Sequence, residues 1–295
     1  MTVCVTGAGG FVGSHVAAAL RAHGADVRDE RVELLDRSAL ERAFAGCDAV
    51  FHVAALYSFD APAGEIARVN VQGTDNVVRA CRAAGVRRLV HTSTAGTCGP
   101  VPGRPATEED EPPAHELAVP YKRTKLEAER LVLAAAAEGL DAVVVNPTAP
   151  VGEGDRKPTP TGRMVAGVAS GRIPAYVASG LNVVDVRDVA AGHVLALERG
   201  RAGERYLLGG VNLTLAELFA AIARIAGRPR PRLRVPYPVT VGAAQLGLAN
   251  RDEVRLARMP MFFSSGKAER ELGYRPGPVE PALARAIAGH GREAA

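Results

Sequence analysis

The chain has 295 residues, 47% of them hydrophobic and 23% charged, the balance of a globular protein with material for a sizeable core. Its formal charge of +4 is mild, and the scattered arginines, often interrupted by acids, exclude a nucleic-acid-binding tract. No apolar run reaches the roughly 18 residues of a membrane span. Cys4, Cys47, Cys81 and Cys98 have neither paired nor metal-ligand spacing, so a cytoplasmic protein with free thiols and no metal site is expected.

In chain order, residues 2–6 form a short apolar run ending in glycines, and residues 11–21 have helical periodicity. A brief strand is expected at 25–28 and another at 32–35. Ser38 and Glu41 then have the spacing of a capping box for a short helix. Further strands are expected at 49–53, 88–92 and 141–146, with helices at 65–84 and 119–137. This alternation implies an α/β fold with a doubly wound parallel sheet. Beyond Pro147 the rhythm loosens. Residues 151–163 are rich in glycine, proline and charge, which predicts a loop that closes over a ligand. A strand at 183–186 and a helix at 189–197 are expected to rejoin the sheet. The apolar stretch 239–249 reads as core or a subunit contact rather than a membrane anchor.

The run Thr6-Gly7-Ala8-Gly9-Gly10-Phe11-Val12-Gly13 falls between the first strand and the first helix. Backbone N–H groups at a helix start bind a pyrophosphate only where side chains leave room. Gly7, Gly10 and Gly13, with Phe11 and Val12 opening the helix, have the spacing of a Rossmann-type dinucleotide site. An acid at the end of the second strand favours NAD, and an arginine there favours NADP. Arg28 tips the reading toward NADP. The mixed charges of Asp29, Glu30 and Arg31 leave NAD open, and Val32 leaves no room for the usual intervening helix.

Tyr121 and Lys125 lie one helical turn apart on one face. A free phenol, with a pKa of about 10, is a poor base at neutral pH. A nearby ammonium is expected to bring it toward the working range, making Tyr121 and Lys125 a proton-transfer pair. The polar strand end Thr92-Ser93-Thr94 supplies a hydroxyl at the ligand-binding end of a parallel sheet. Thr94 is the candidate to hold the reacting oxygen, with Ser93 the alternative and strand-end capping the structural reading.

Together these segments resemble the extended short-chain dehydrogenase/reductase superfamily, the NAD-dependent epimerase/dehydratase family. The resemblance is carried by the loop from Thr6 to Gly13, Leu35-Asp36, His52-Val53-Ala54-Ala55 and the segment from Asn70 to Asn76. Thr94, Tyr121/Lys125 and Asn146-Pro147-Thr148 complete it. Within the superfamily, FHVAALYSF, GERYLLGG and the segment from Asn146 to Gly200 are most similar to hopanoid-associated sugar epimerases and dihydroflavonol-reductase-like proteins. The resemblance implies that Asp36 and Leu35 border the adenine, that Ala54 and Ala55 line the cofactor groove, and that Pro147 and Thr148 border the nicotinamide. It also implies that Lys125 binds the nicotinamide ribose and that Asn70 supports the backbone of the site, while His52 reads as a packed strand residue. Cys98 stands near the place where sugar epimerases often carry a tyrosine.

The resemblance further implies a dinucleotide-binding part at 1–150 and about 182–200, and a smaller substrate-binding lobe at 151–181 and 201–295. Candidate substrate contacts are Tyr57, Phe59, Ser93, Asn146 and Arg163, with Arg172 and Arg187 as further anion contacts. The row Arg228, Arg230, Arg232 and Arg234 reads as a solvated face or as a contact to a pyrophosphate. The expected activity is NAD(P)-dependent hydride transfer at a secondary alcohol or ketone carbon of a sugar-like small molecule. Three outcomes stay open: epimerase, NADPH-dependent carbonyl reductase, and a non-catalytic dinucleotide sensor, with a homodimer as an option for assembly.

Overall fold

A computed structural model describes residues 1–58 and 61–293. The first half alternates β1 (Thr2–Thr6), α1 (Phe11–Ala22), β2 (Asp26–Arg28), α2 (Arg37–Phe44) and β3 (Ala49–His52). There follow α3 (Ala63–Ala67), α4 (Gly73–Ala83), β4 (Arg88–Thr92), α5 (Pro120–Ala137) and β5 (Ala142–Pro147). The second half opens with β6 (Ala149–Val151), α6 (Pro160–Ala169), β7 (Ala175–Val177), β8 (Gly180–Asp185) and α7 (Val186–Arg199). Next come β9 (Arg205–Leu208), β10 (Val211–Thr214), α8 (Leu215–Ile225), β11 (Leu233–Val235) and α9 (Tyr237–Gln245). The chain ends with α10 (Arg251–Leu256), α11 (Gly266–Glu271) and α12 (Glu280–Glu293).

β5 explains the layering. Its side chains alternate between two cores: Ala142 and Val144 pack with Leu40, Phe44, Val77 and Val132, while Val143 and Val145 pack with Val16, Leu20 and Val194. Successive residues of a strand point to opposite faces, so a wholly apolar strand requires cover on both. α1 and α7 cover one face, and α2, α4 and α5 cover the other. Six strands pair in parallel in the order β2-β1-β3-β4-β5-β9, the doubly wound arrangement that the alternation predicts. β1 lies between β2 and β3, so the order reverses there. The loops after β1 and β3 therefore border the crevice where such sheets bind ligands.

Several expectations are corrected. Residues 32–35 form no strand. Leu34 instead packs against Gly73, where a Cβ would lie 3.0 Å from the Leu34 Cβ. The Leu34 carbonyl accepts from Asn76 Nδ2 at 3.0 Å, so a side chain satisfies the backbone in place of a strand ladder. Asp36, not Ser38, caps α2, accepting from the Ala39 N–H at 2.9 Å. The helix expected at 65–84 is α3 and α4 joined by a π turn (Arg68–Gln72).

The second half departs further. β8 pairs with β6 and β10 in a separate three-stranded sheet instead of rejoining the main one. β9, expected within the substrate lobe, is the sixth strand, since Tyr206, Leu207 and Leu208 are all buried and pair along β5. A third apolar cluster joins α6, α8 and α12 through Val165, Leu218, Ile222 and Leu283. The loop expected to close over a ligand is fastened. The buried Asp155 accepts from Thr159 N at 2.9 Å and Thr159 Oγ1 at 2.8 Å, and Glu153 pairs with Arg187 and Arg285. Residues 239–249 are not core, for Ala244 alone in α9 is buried. Among the described residues, no helix is long and apolar enough to cross a membrane.

Candidate active site

The β1–α1 loop is shaped by what it cannot hold. Gly7 has φ 76°, the left-handed region open to glycine. A Cβ there would lie 2.7 Å from the Ala54 backbone, and one at Gly13 would lie 2.1 Å from the Gly7 carbonyl oxygen. Gly10 caps α1 without offering a side-chain acceptor. The N–H groups of the first turn, from Phe11, Val12 and Gly13, therefore lack both intrahelical partners and a capping side chain. An uncapped helix start beside a wall stripped of side chains fits the pyrophosphate of a dinucleotide.

The rim of the crevice is held by polar side chains. Asn70, in the π turn, accepts from Leu56 N at 2.7 Å and donates to Leu56 O at 3.2 Å. It also donates to Thr124 Oγ1 at 3.3 Å, joining the Ala54–Tyr57 segment to α5. π turns of this kind are frequent at functional sites. His52 is buried with its ring nitrogens hydrogen-bonded to Thr6 Oγ1 at 2.9 Å and Thr74 Oγ1 at 3.0 Å, the packed role read from the sequence. Ala54 is half-buried and Ala55 exposed after β3, while Leu35 is half-buried next to the exposed Asp36. Pro147 ends β5, and Thr148 Oγ1 donates to Asn182 Oδ1 at 2.9 Å. Arg28, expected to await a 2′-phosphate, donates to the Ala45 carbonyl at 2.8 Å and the Ala43 carbonyl at 3.4 Å. Its Nη1 is engaged by the end of α2, and this contact gives the lean toward NADP no support.

α5 starts at Val119-Pro120, with proline in the first turn, where its missing N–H costs nothing. Tyr121, Lys125 and Glu129 recur every four residues along one face. Lys125 is buried and its Nζ donates to the Thr92 carbonyl at 2.7 Å, docking the helix onto the carboxyl end of β4, two residues before Thr94. Burial brings this lysine down to about 8, with the Glu129 carboxylate opposing. The Tyr57 ring lies over that of Tyr121, with centroids 4.3 Å apart and planes at 33°. Burial, and then the neighbouring Tyr57 phenol, raise the Tyr121 phenol above its ordinary value. That direction is opposite to the sequence expectation, because burial dominates and the neighbouring Tyr57 phenol adds to it.

Thr94 is half-buried and caps the 3₁₀ turn Ala95–Cys98, its Oγ1 accepting from Gly96 N at 3.3 Å. Ser93 is buried with no partner for its Oγ among the described residues. Asn146, expected on the substrate side, is fully buried behind the strand end. Its Nδ2 reaches Thr94 O at 3.2 Å, Thr97 Oγ1 at 2.9 Å and Glu129 Oε2 at 2.7 Å. Arg163 is exposed and pairs with Glu253 at 3.2 Å. Those two groups and Asp155 all act on the Tyr57 phenol, which places them at one mouth. Arg172 donates to Ser170 Oγ at 3.0 Å and Arg187 pairs with Glu153. Arg228, Arg230, Arg232 and Arg234 are exposed on β11 and the segment before it, and Phe59 lies outside the described residues. Cys98 packs in an apolar cluster with Ala106, Leu207 and Phe263.

Two fully buried carboxylates escaped the sequence reading. Glu129 accepts from Asn146 and from Thr97 Oγ1 at 2.8 Å, and pairs with Arg205 at 2.8 Å. Glu116 forms a buried ion pair with Lys122, whose Nζ also donates to the Gly99 carbonyl at 2.6 Å. The four-residue recurrence from Tyr121 through Lys125 marks Glu129. The rarity of lysine in an arginine-rich chain marks Lys122, since a compact ammonium suits a buried point contact. A cavity of about 510 Å³ beside β9 is a separate feature, with its Lys267 paired to Glu204 and its Arg201 to Glu271.

The family model described as NAD dependent epimerase/dehydratase matches residues 3–209. A protein of Synechocystis sp. with a provisional dihydroflavonol 4-reductase name is 37% identical, over 96% of this chain and 92% of its own. Sterol demethylase protein B of Methylococcus capsulatus is 35% identical over 98% of each chain. The crystal structure of PA4631, a nucleoside-diphosphate-sugar epimerase from Pseudomonas aeruginosa, superposes with a TM-score of 0.85 at 30% identity. It covers 99% of this chain and 98% of its own.

Proposed function

The chain belongs to the NAD-dependent epimerase/dehydratase family of NAD(P)-dependent enzymes, and from that premise we propose that it is a carbonyl reductase working at a secondary alcohol or ketone carbon. The observation that carries this reading is the Lys125–Thr92 contact of 2.7 Å. It brings the helix bearing Tyr121 to the strand end bearing Thr94, beside the glycine loop. Gly7, Gly10, Phe11, Val12 and Gly13 would hold the pyrophosphate, with Leu35, Asp36, Ala54 and Ala55 along the adenosine side. Pro147 and Thr148 would border the nicotinamide, which supplies or accepts the hydride when bound.

The residues of the chain supply the rest. A phenol raised above its ordinary value stays protonated at neutral pH, the state needed to give its Oη proton to the oxygen of a ketone under reduction. Thr94 Oγ1 would donate a hydrogen bond to the same oxygen, with Ser93 Oγ as the neighbouring hydroxyl. The Lys125 ammonium, fixed on the Thr92 carbonyl, would place positive charge beside the forming alkoxide and reach the ribose. Tyr57 would cover the reacting centre and exclude water, and Arg163 would border the substrate at the mouth.

A second reading, epimerisation of a sugar nucleotide, is favoured by the near-complete superposition on the P. aeruginosa epimerase. One experiment separates the two. The purified protein is assayed for bound dinucleotide, then mixed with ketones or with sugar nucleotides while nicotinamide absorbance is followed. Consumption of exchangeable reduced coenzyme by a ketone is the expected result. Tightly held NAD with interconversion of sugar isomers and no net redox change would replace the reductase reading with the epimerase one.

A further inference from the structure

We propose that the α9 tip of the C-terminal lobe docks onto an anionic lipid bilayer. α9 carries Tyr237, Val239, Val241, Ala243 and Ala244 with no charged residue. A helix apolar on all sides belongs in a core or a membrane, yet in α9 only Ala244 is buried. Beyond it Leu246 and Leu248 are each 78% exposed, and Val239 and Leu233 are 58% and 62% exposed. Four large apolar side chains brought to solvent on and beside one short helix mark it as an interaction surface.

Charge identifies the occupant. Between residues 226 and 258 the chain has seven arginines and two acids. Arg228, Arg230, Arg232 and Arg234 are exposed, and none has a carboxylate partner among the described residues. Nine helical residues span roughly 13 Å, so the arginine row and the leucine pair stand at opposite ends of one short element. Apolar side chains that enter the interface, beside unpaired cations that meet anionic headgroups, are the two terms of peripheral membrane binding. A second copy of the chain fits less well, because a two-fold contact centred here would set the arginine row against itself. The surface borders the active-site mouth, since Glu253 of the adjacent α10 pairs with Arg163 and both act on the Tyr57 phenol.

The docking claim is independent of the reaction proposed above, and its test reads lipid association alone. The full chain is sedimented with vesicles of phosphatidylcholine, or of phosphatidylcholine with one third phosphatidylglycerol, at low and high salt. Binding to the anionic vesicles, released by salt, is expected. Replacing Arg230 and Arg232 with serine should weaken it roughly thirtyfold, and Leu246→Ala with Leu248→Ala at least about tenfold. All four positions are exposed, so thermal melting should not move. Absence of binding, or equal binding by these variants, would overturn the proposal. So would self-association seen by sedimentation velocity that the leucine changes abolish, without any vesicle binding, for it would make the patch a subunit contact.

Discussion

Lys125 governs how the free protein should respond to pH. Burial brings it down to about 8 and the Glu129 carboxylate holds it up. In the proposed mechanism its protonated form would carry the charge beside the reacting oxygen, and that form is lost as pH rises through about 8. The kcat/KM profile, which reports the free enzyme, should therefore fall on the alkaline side near that value. Glu129→Gln removes the group that raises Lys125, so the alkaline limb should move to lower pH. Profiles of the two proteins check this, and an unmoved limb would detach Glu129 from the lysine. The Tyr121/Lys125 spacing was legible because helical geometry alone makes i and i+4 neighbours. The state of the phenol was not. It depends on burial and then on Tyr57, a group 64 residues distant in the chain. Asn146 was misplaced for a related reason: a polar residue at a strand end reads the same whether it faces the crevice or a buried carboxylate.

The β1–α1 element makes a paired prediction. A methyl group at Gly13 would meet the Gly7 carbonyl oxygen at 2.1 Å, whereas one at Gly9 meets nothing within 4 Å. Gly13→Ala should cost at least about 1–3 kcal/mol through forced backbone movement and weaken dinucleotide binding. Gly9→Ala should change stability by no more than about 0.5 kcal/mol. Thermal melting with and without coenzyme separates them, and equal behaviour would contradict the close approach of loop and helix. Elements with a strong period, such as α1, α5 and β5, were readable to within a residue or two. Residues 32–35 were misread because a short apolar run looks alike as a strand or as a loop pinned by Leu34 and Asn76. Asp36 displaced Ser38 as the cap because both are good capping residues, and position relative to the packed face of α2 decides between them.

At the scale of the molecule, the first five strands of the main sheet were legible as strands from the alternation, and the sixth was not. Parallel neighbours are joined by long crossovers, so the strand at 183–186 was assigned to the main sheet and residues 205–208 were left in the substrate lobe. β8 serves the small sheet with β6 and β10, and β9 closes the main one. The stretch 239–249 was legible as apolar, but its exposure could be seen only in the folded lobe. What the whole fold accomplishes is to bring the glycine loop, the Thr94 strand end and the α5 stripe to one edge of the sheet.

The measurement that bears most directly on this arrangement compares the wild-type protein with Tyr121→Phe. Coenzyme binding is followed by titration, and turnover by nicotinamide absorbance with a ketone that the wild type reduces. The phenylalanine variant should bind coenzyme within a few-fold of wild type and lose about 10²–10⁴-fold in turnover. A variant that turns over at the wild-type rate, or a wild-type protein that binds neither NAD(H) nor NADP(H), would contradict the account.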